Sequence, residues 1–595
     1  MSKDNSFIQT KAMKNFLAAS ILTSVASQIS TLTDGIIVSQ AVARDAISAI
    51  TIYMPMTALL AGVITMLSGG ASMLAAKKLG EHDYKSVSSI FSVTLTYSVV
   101  VSAILATCVY FLLPRLATLV CSDDTLRTYL LDYSRVAIFS VVLIAATLTI
   151  NGFIGIDGWP KRVSCSMIIT CVSNVCLDIL LIVGFGMGIE GSAIATLISS
   201  LLGLLVNVPH LCKPERSFHY RLNGKDIIPV IRGNLRVGVP MSISSMVLSL
   251  CFLYLNHIVL LKLGTEGAYV LSILLQMVML TMMASNGFFQ ILFSIGGVHL
   301  GDGDYSALEQ VVNKTLKWVA SALVVITLVF NLFPELIVRL FGSGEGVLMK
   351  ESARSVRVAL NMIMPFELAL ILSGVYMLVG RAELFLFFNV MSVIALVTGI
   401  TVSVYLVPGF TWYAVAFSSW ILLCCQLGES YFLSRKNKSV TPFTLLPRIP
   451  DVIATKILVS YTQESVADAL KKINLFLDVC EIEGSQATRI SVCCEELLYN
   501  ILNFGKTKEI VRHNRDSVYE IRLKEQEDSI VITVKDAGIP FNPVVKFDKS
   551  AAEAYHCGDD IHLGLQMVNG LCKDIEYKFM HGLNVTAMTF PKHNS

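Results

Sequence analysis

The chain has 595 residues, of which 54% are hydrophobic and only 15% charged, a balance that excludes an ordinary soluble globular protein. The net charge of +2 averages two unlike parts: residues 451–595 hold 37 Asp, Glu, Lys and Arg, about a quarter of that stretch, against about 12% in the 450 residues before it. The division predicts a membrane body followed by a soluble C-terminal domain, and nothing in the charge balance argues for a nucleic-acid partner.

The N-terminal stretch MSKDNSFIQTKAMKN lacks a short apolar core followed by a cleavage site, so no signal peptide is expected. Beyond it, apolar runs fall near 15–42, 47–77, 87–113, 129–155, 161–185, 189–211, 233–262, 267–298, 310–334, 355–379, 383–407 and 410–433. A bilayer-spanning helix needs about twenty such residues, so the runs predict twelve membrane helices. Lys77, Lys78 and Lys85 follow the second run, Lys161 and Arg162 the fourth, Lys213, Arg216, Arg221 and Lys225 the sixth, and Arg435, Lys436 and Lys438 the twelfth. Basic loops on one side place both termini in the cytoplasm, with Lys350, Arg354 and Arg357 as the contrary group. The fourteen cysteines lie in apolar runs or on helices without zinc-ligand spacing and read as structural.

The body repeats itself. KKLGEHDYKSV (77–87) returns as VHLGDGDYSAL (298–308) at an offset of 221 residues, each time between two long apolar runs. Duplication in the same orientation predicts two six-helix bundles, residues 1–222 and 223–437, around a central cavity. Ionisable residues inside such spans mark function, because a carboxylate in hydrocarbon is costly unless neutralised. Asp34 lies in the first span, and Asp178 in the fifth, with Asn174 one turn earlier; Thr196 is in the sixth. Two carboxylates, an amide and a hydroxyl can ring a small cation or share a proton. Structural roles, as helix ties, are the alternative for each.

The runs SNVCLDILLIVGFGMGIEGSAIAT and TDGIIVSQ, with the repeated LG…DY loop, resemble the multidrug and toxic compound extrusion (MATE) family over roughly residues 10–435. The resemblance implies twelve-helix antiporters and assigns Asp34, Asn174, Asp178 and Thr196 to a cation site in the first bundle, with Na⁺ or H⁺ as coupling ion. In the second bundle Glu367 is the nearest acidic candidate, and coupling is expected to rest on the first half. Aromatic, Met and amide residues between the halves, among them Tyr53, Met54, Met66, Gln276, Asn286 and Phe289, would meet lipophilic cations.

Residues 438–455, with the Pro-rich VTPFTLLPRIP, read as a linker, and 456–595 as an α/β domain. A helix is predicted over 488–505, a hairpin over VYEIRLKEQEDSIVITVKDAG, a helix over 562–573 and a closing hairpin over IEYKFMHGLNVTAMTF. Glu496 and Asn500 share one face of the first helix, where a carboxylate suits a general base and an amide oxygen suits Mg²⁺. Asp536 opens the loop DAGIPFNP and is suited to accept the amine of adenine; LGLQMV offers helix N–H groups to phosphate. In this order the motifs resemble the GHKL ATPase superfamily, most of all its anti-sigma-factor serine kinases. The resemblance implies an α/β sandwich that binds ATP and Mg²⁺, with Glu496 as general base, Asn500 as Mg²⁺ ligand, Asp536 on adenine, Gly538 shaping the loop and Gly564 serving the phosphates. His562 stands where that family usually has glycine.

The expected protein is thus an all-α polytopic cell-membrane antiporter that exports organic cations. Its cytoplasmic ATP-binding domain would regulate it or phosphorylate a small cytosolic protein, with ATPase or serine/threonine kinase activity left open. A membrane-sensor serine kinase and a flippase for a lipid-linked substrate are the alternatives.

Overall fold

The computed structural model describes residues 5–42, 44–120, 124–213, 216–340, 347–448, 454–482, 484–504, 518–526, 528–538, 568, 570–580 and 583–592. The first half of the body comprises α1 (Asn5–Ala41), α2 (Arg44–Ser68), α3 (Ala71–Gly80), α4 (Tyr84–Val120), α5 (Asp124–Ala137), α6 (Ser140–Ile156), α7 (Pro160–Asp178) and α8 (Gly188–Leu211). The second half comprises α9 (Ile227–Ile291), α10 (Gly297–Asp302), α11 (Tyr305–Leu332), α12 (Pro334–Leu340), α13 (Val347–Ala359), α14 (Ile363–Leu378), α15 (Ala382–Leu406) and α16 (Thr411–Lys436). Among the described residues ten helical stretches are long and apolar enough to cross a membrane, and α5 with α6, bent by 42°, makes an eleventh. The twelfth expected span falls on α1, whose described apolar stretch, Phe16–Ser27, is shorter.

Breaks in these rods follow local chemistry. α9 is two crossings in one label: the chain reverses at Gly264, whose φ of 68° is open to glycine and strained for other residues. α7 passes at Asp178 into a π-helical turn, Ile179–Gly184, the kind of insertion that often accompanies a functional residue. The two copies of the repeated loop fold alike. Asp83 Oδ1 accepts from the Ser86 amide at 3.0 Å and Asp304 Oδ1 from the Ala307 amide at 3.0 Å, each capping the helix that follows.

The repeats also meet each other through bare backbone. A Cβ added at Gly80 would lie 2.0 Å from the Val298 carbonyl oxygen, and one at Gly301 would lie 1.9 Å from that of Lys77. Gly80 and Gly301 are 221 positions apart, as are Lys77 and Val298, so α3 and α10 cross about a local two-fold. This end of the bundles, where the C-terminal segment joins, is the tail side.

After α16 the chain is held against the body. Val440 bridges Pro447, Val440 and Leu445 pack with Tyr376 and Phe388, and the Tyr376 hydroxyl donates to the Phe443 carbonyl at 3.0 Å. The soluble domain then forms a five-stranded antiparallel sheet in the order β1–β2–β3–β5–β4, with β1 (Ala454–Ser460), β2 (Val518–Glu525), β3 (Ser529–Asp536), β4 (Asp574–Met580) and β5 (Leu583–Pro591). Both expected hairpins are present, and β1 is an added edge strand. Helices α17 (Gln463–Val479) and α18 (Gly484–Phe504) cover one face through a core containing Ile473, Phe476, Leu498, Ile521, Ile532 and Phe590. Of the expected helix over 562–573, the described residues Val568, Gly570 and Leu571 are helical; the others, apart from Cys572 and Lys573, lie outside the described residues.

Candidate functional site

Two constellations carry the expected chemistry, one in each part of the chain. In the first bundle α1 brings Asp34 to α7, which carries Asn174 and Asp178. Asp178 is fully buried and Asn174 nearly so. Ser30 donates to Asn174 Oδ1 at 3.0 Å, tying α1 to α7 beside the pair. Asp34 lies within hydrogen-bonding reach of Asp178. Asp34 and Ser192 both approach the Asp178 carboxylate, yet neither closes a well-aligned hydrogen bond to its buried oxygens. A buried carboxylate without aligned donors is costly as an anion, so a cation or a proton is the natural complement.

Thr196 joins from α8, its hydroxyl donating to the Ser192 carbonyl at 3.1 Å. Tyr133 on α5 faces the same group: it lies near both aspartates and within reach of Thr196. Its ring meets that of Tyr53 edge-on at 5.4 Å, and the Tyr53 hydroxyl is buried without a hydrogen-bond partner. Thus all four sequence-predicted residues come to one place, and Tyr133 joins them unpredicted. Its signal in the sequence, a Tyr one helical turn after Tyr129, is indistinguishable from packing.

Glu367 in the second bundle has a different setting. It is fully buried and accepts from Thr281 at 3.0 Å and from Ser285, both on α9, so its two oxygens are engaged within the bundle. Among the other substrate candidates, Gln276 and Asn286 are exposed, while Phe289 packs flush against Gly374. No group of three or more His, Cys, Asp and Glu side chains suited to a metal occurs among the described residues.

In the soluble domain Asn500 Nδ2 donates to Glu496 Oε1 at 3.1 Å along α18. Asp536 ends β3, 5% exposed, and its Oδ1 accepts from the Gly538 amide at 2.8 Å and from Asn584 Nδ2 at 2.9 Å. Tyr577 in turn donates to Asn584 Oδ1 at 2.7 Å. Burial pushes the Asp536 carboxyl up to about 6, against the opposing pull of the Asn584 and Gly538 hydrogen bonds. Asn584 and Tyr577 were not expected; they stand opposite or near Asp536 only because β5 pairs β3 with Asp536 against Asn584. The buried acceptor at the end of β3 and the carboxylate–amide pair on α18 rest on one hydrophobic core. Gly564 and His562, expected at the phosphates, lie outside the described residues.

Residues 19–180 and 240–405 match the MatE family model, and residues 459–590 match that of the histidine kinase-like ATPase domain. A probable multidrug resistance protein, YoeA of Bacillus subtilis, is 24% identical over 262 residues, 42% of this chain and 56% of that protein. The multidrug export protein MepA of Staphylococcus haemolyticus is 22% identical over 227 residues, 38% of this chain and 49% of MepA. The chain therefore spans about half the length of these curated relatives. Among solved structures, a MOP superfamily transporter from Pyrococcus furiosus superposes with a TM-score of 0.66 at 18% identity, over 73% of this chain and 99% of that one. An outward-facing multidrug resistance MATE transporter superposes with a TM-score of 0.63 at 20% identity, over 71% and 96%. With more than half of its residues inside the family match, the chain belongs to the MatE family and ends in a histidine kinase-like ATPase domain.

Proposed function

We infer that the body is an ion-coupled exporter of lipophilic organic cations in the cell membrane, driven by Na⁺ or H⁺. The observation that carries this reading is the Asp34–Asp178 pair of the first bundle, Asp178 fully buried and Asp34 half-buried, with Asn174 and Thr196 beside it. Two adjacent carboxylates in a low-dielectric site cannot both remain charged cheaply, so the pair takes up one positive charge, as a proton or a monovalent cation, and releases it when the site is rehydrated. Oxygen donors alone, with two carboxylates, suit a hard monovalent ion or a proton better than a soft transition metal. Export follows if loading the pair from outside favours one arrangement of the two bundles, residues 1–222 and 223–437, over the other.

The domain from about residue 456 is read as a cytoplasmic ATP-binding regulator, which also puts both termini in the cytoplasm. Asp536 Oδ2 would accept the adenine amine, Gly538 would shape that loop, and Gly564 would approach the phosphates. Asn500 would hold Mg²⁺ and Glu496 would act as base toward water or a protein hydroxyl. ATP supplies the transferable phosphoryl group, and the residues of this chain position it.

The test is efflux of a fluorescent organic cation from proteoliposomes under an imposed Na⁺ or H⁺ gradient without ATP. Flux in the wild type that disappears in Asp178→Asn supports the carrier. Equal flux in both sinks it.

A further inference from the structure

The face of the five-stranded sheet that α17 and α18 leave uncovered is turned toward the body. It carries Lys456, Glu520, Arg522, Lys524 and Lys535, and it lies on the repeated loops of the body. Arg522 donates to Asp302 Oδ2 at 2.7 Å and to the Asp302 carbonyl at 3.0 Å, and its guanidinium stands 3.4 Å from Asp304. Lys524 reaches the same carbonyl at 3.2 Å. Lys535 stands 3.4 Å from Asp302, and Lys456 lies 2.8 Å from Glu520 and 3.6 Å from Asp304. Arg522, Glu520, Asp302 and Asp304 are each at most 7% exposed. Ions so buried persist only when paired with opposite charge, as these are. Burial opposes the charge of Asp304, but Lys456, His299, Arg522 and Lys535 hold its carboxyl well below the usual carboxylate range.

The same sheet also touches the first bundle. Lys578 donates to the Arg216 carbonyl at 3.1 Å and sits 4.9 Å over the Tyr84 ring. Val585 joins the apolar cluster of Leu79, Phe91, Phe153 and Phe218. One rigid element thus holds the second bundle through Asp302 and Asp304, and the first through Tyr84 and Phe218.

Between these two anchors the bundles are in contact. The Gly80–Gly301 crossing lies there, and Gly70 and Gly238 make similar close approaches to Val237 and Met66. The first-bundle residues inside the second bundle's core, Met13, Phe16 and Met73, all belong to the tail-side half. Toward the other end, the clusters around Val38 and Tyr53 and around Leu60 and Ile138 contain first-bundle residues alone. The bundles are therefore joined on the tail side, with the sheet lying across the joint.

The geometry points to the outer face of the ATPase-like sheet as a clamp that holds the tail-side ends of the two bundles together, so that the body can open toward the tail only when one anchor lets go. This inference rests on the reading of the body as a carrier whose bundles move, and its test does not use transport. Spin labels are placed at Lys161 and Glu383, exposed positions on the tail side of the first and second bundle, by genetically encoded residues that leave the native cysteines alone. Inter-label distances are then measured in the full-length protein. The wild type is expected to give one short-distance population. Arg522→Glu, which breaks the second-bundle anchor, and Lys578→Ala, which weakens the first, are each expected to raise a longer-distance population about tenfold, from about 1% to about 10% or more. Distances unchanged in both variants, or changed in only one, would overturn the clamp, because a strap across two bodies needs both ends. Unaltered melting of each variant shows that the sheet itself has not unfolded. If the distances move as expected while the wild type shows no gradient-driven flux, the clamp stands and the carrier reading falls.

Discussion

Asp178→Asn keeps the shape of the side chain and removes its charge, so the packing of α7 survives while the proposed cation site loses one of its two carboxylates. Gradient-driven efflux is expected to fall at least tenfold, which corresponds to about 1.4 kcal/mol or more of lost coupling energy, with the chromatographic profile unchanged. Tyr133→Phe is the finer probe at the same place, since it deletes one hydroxyl near both aspartates. Asp536 makes a prediction of a different kind. Its carboxyl titrates near 6 in the folded domain against an ordinary 3.8, so the folded state holds its proton more tightly than the unfolded one. Its contribution to stability is therefore fully favourable below pH about 4 and is lost as pH rises through about 6, a change on the order of 3 kcal/mol. ATP affinity should run the other way, weakening below pH about 6 as the carboxylate acceptor is protonated. Thermal melting and titration with a fluorescent ATP analogue between pH 5 and 8 check both slopes, and Asp536→Asn should flatten them. The residues named for these sites were legible because a carboxylate within an apolar span, or an Asp at a strand end before a glycine, is conspicuous in one dimension. Tyr133 and Asn584 were not, because each acquires its meaning only from the helix or strand that packs beside it.

Single glycines decide how the helices meet. Gly301→Ala would place a methyl group 1.9 Å from the Lys77 carbonyl oxygen, a backbone atom that cannot swing away, so α3 and α10 must separate. The expected cost is about 1–3 kcal/mol, visible as a lower melting temperature and as a longer distance between the labelled bundles. Gly264→Ala meets no neighbouring atom, and its cost would come from the backbone alone, about 1–3 kcal/mol for a left-handed non-glycine residue. Helix positions were readable from apolar run length, and the duplication from the LG…DY loop, because both are local patterns. β1 escaped for a physical reason. Its outward residues include Lys456 and Leu458, and a face buried on charged partners mixes polar and apolar residues, which blurs the alternation that marks a strand. The glycine crossing was equally hidden, since which two glycines touch depends on how two distant helices pack.

One strand of the sheet, β3, faces both the body and the candidate nucleotide site. Lys535 points to Asp302 on the body and Asp536, the next residue, points to the candidate adenine site; on the paired strand Val585 and Asn584 divide in the same way. The candidate nucleotide site is thus one peptide unit from the docking contacts. Adding ATP with Mg²⁺ to the full-length protein is expected to change hydrogen exchange of residues 77–83 and 298–304 at least about twofold, and to leave Asp536→Asn unaffected. Identical exchange with and without nucleotide in the wild type would show that the strand transmits nothing. The capping aspartates have a last consequence. Asp83 and Asp304 are equivalent under the body's internal two-fold, yet Asp83 faces Lys78 within its own loop while Asp304 faces Lys456 and Arg522 of the sheet. A lone domain laid on a two-fold object cannot treat the halves alike. Here it holds one half by buried ions and the other by an aromatic ring and an apolar pocket, so the symmetry inherited from duplication ends at this surface, and when the halves part the domain should remain with the second.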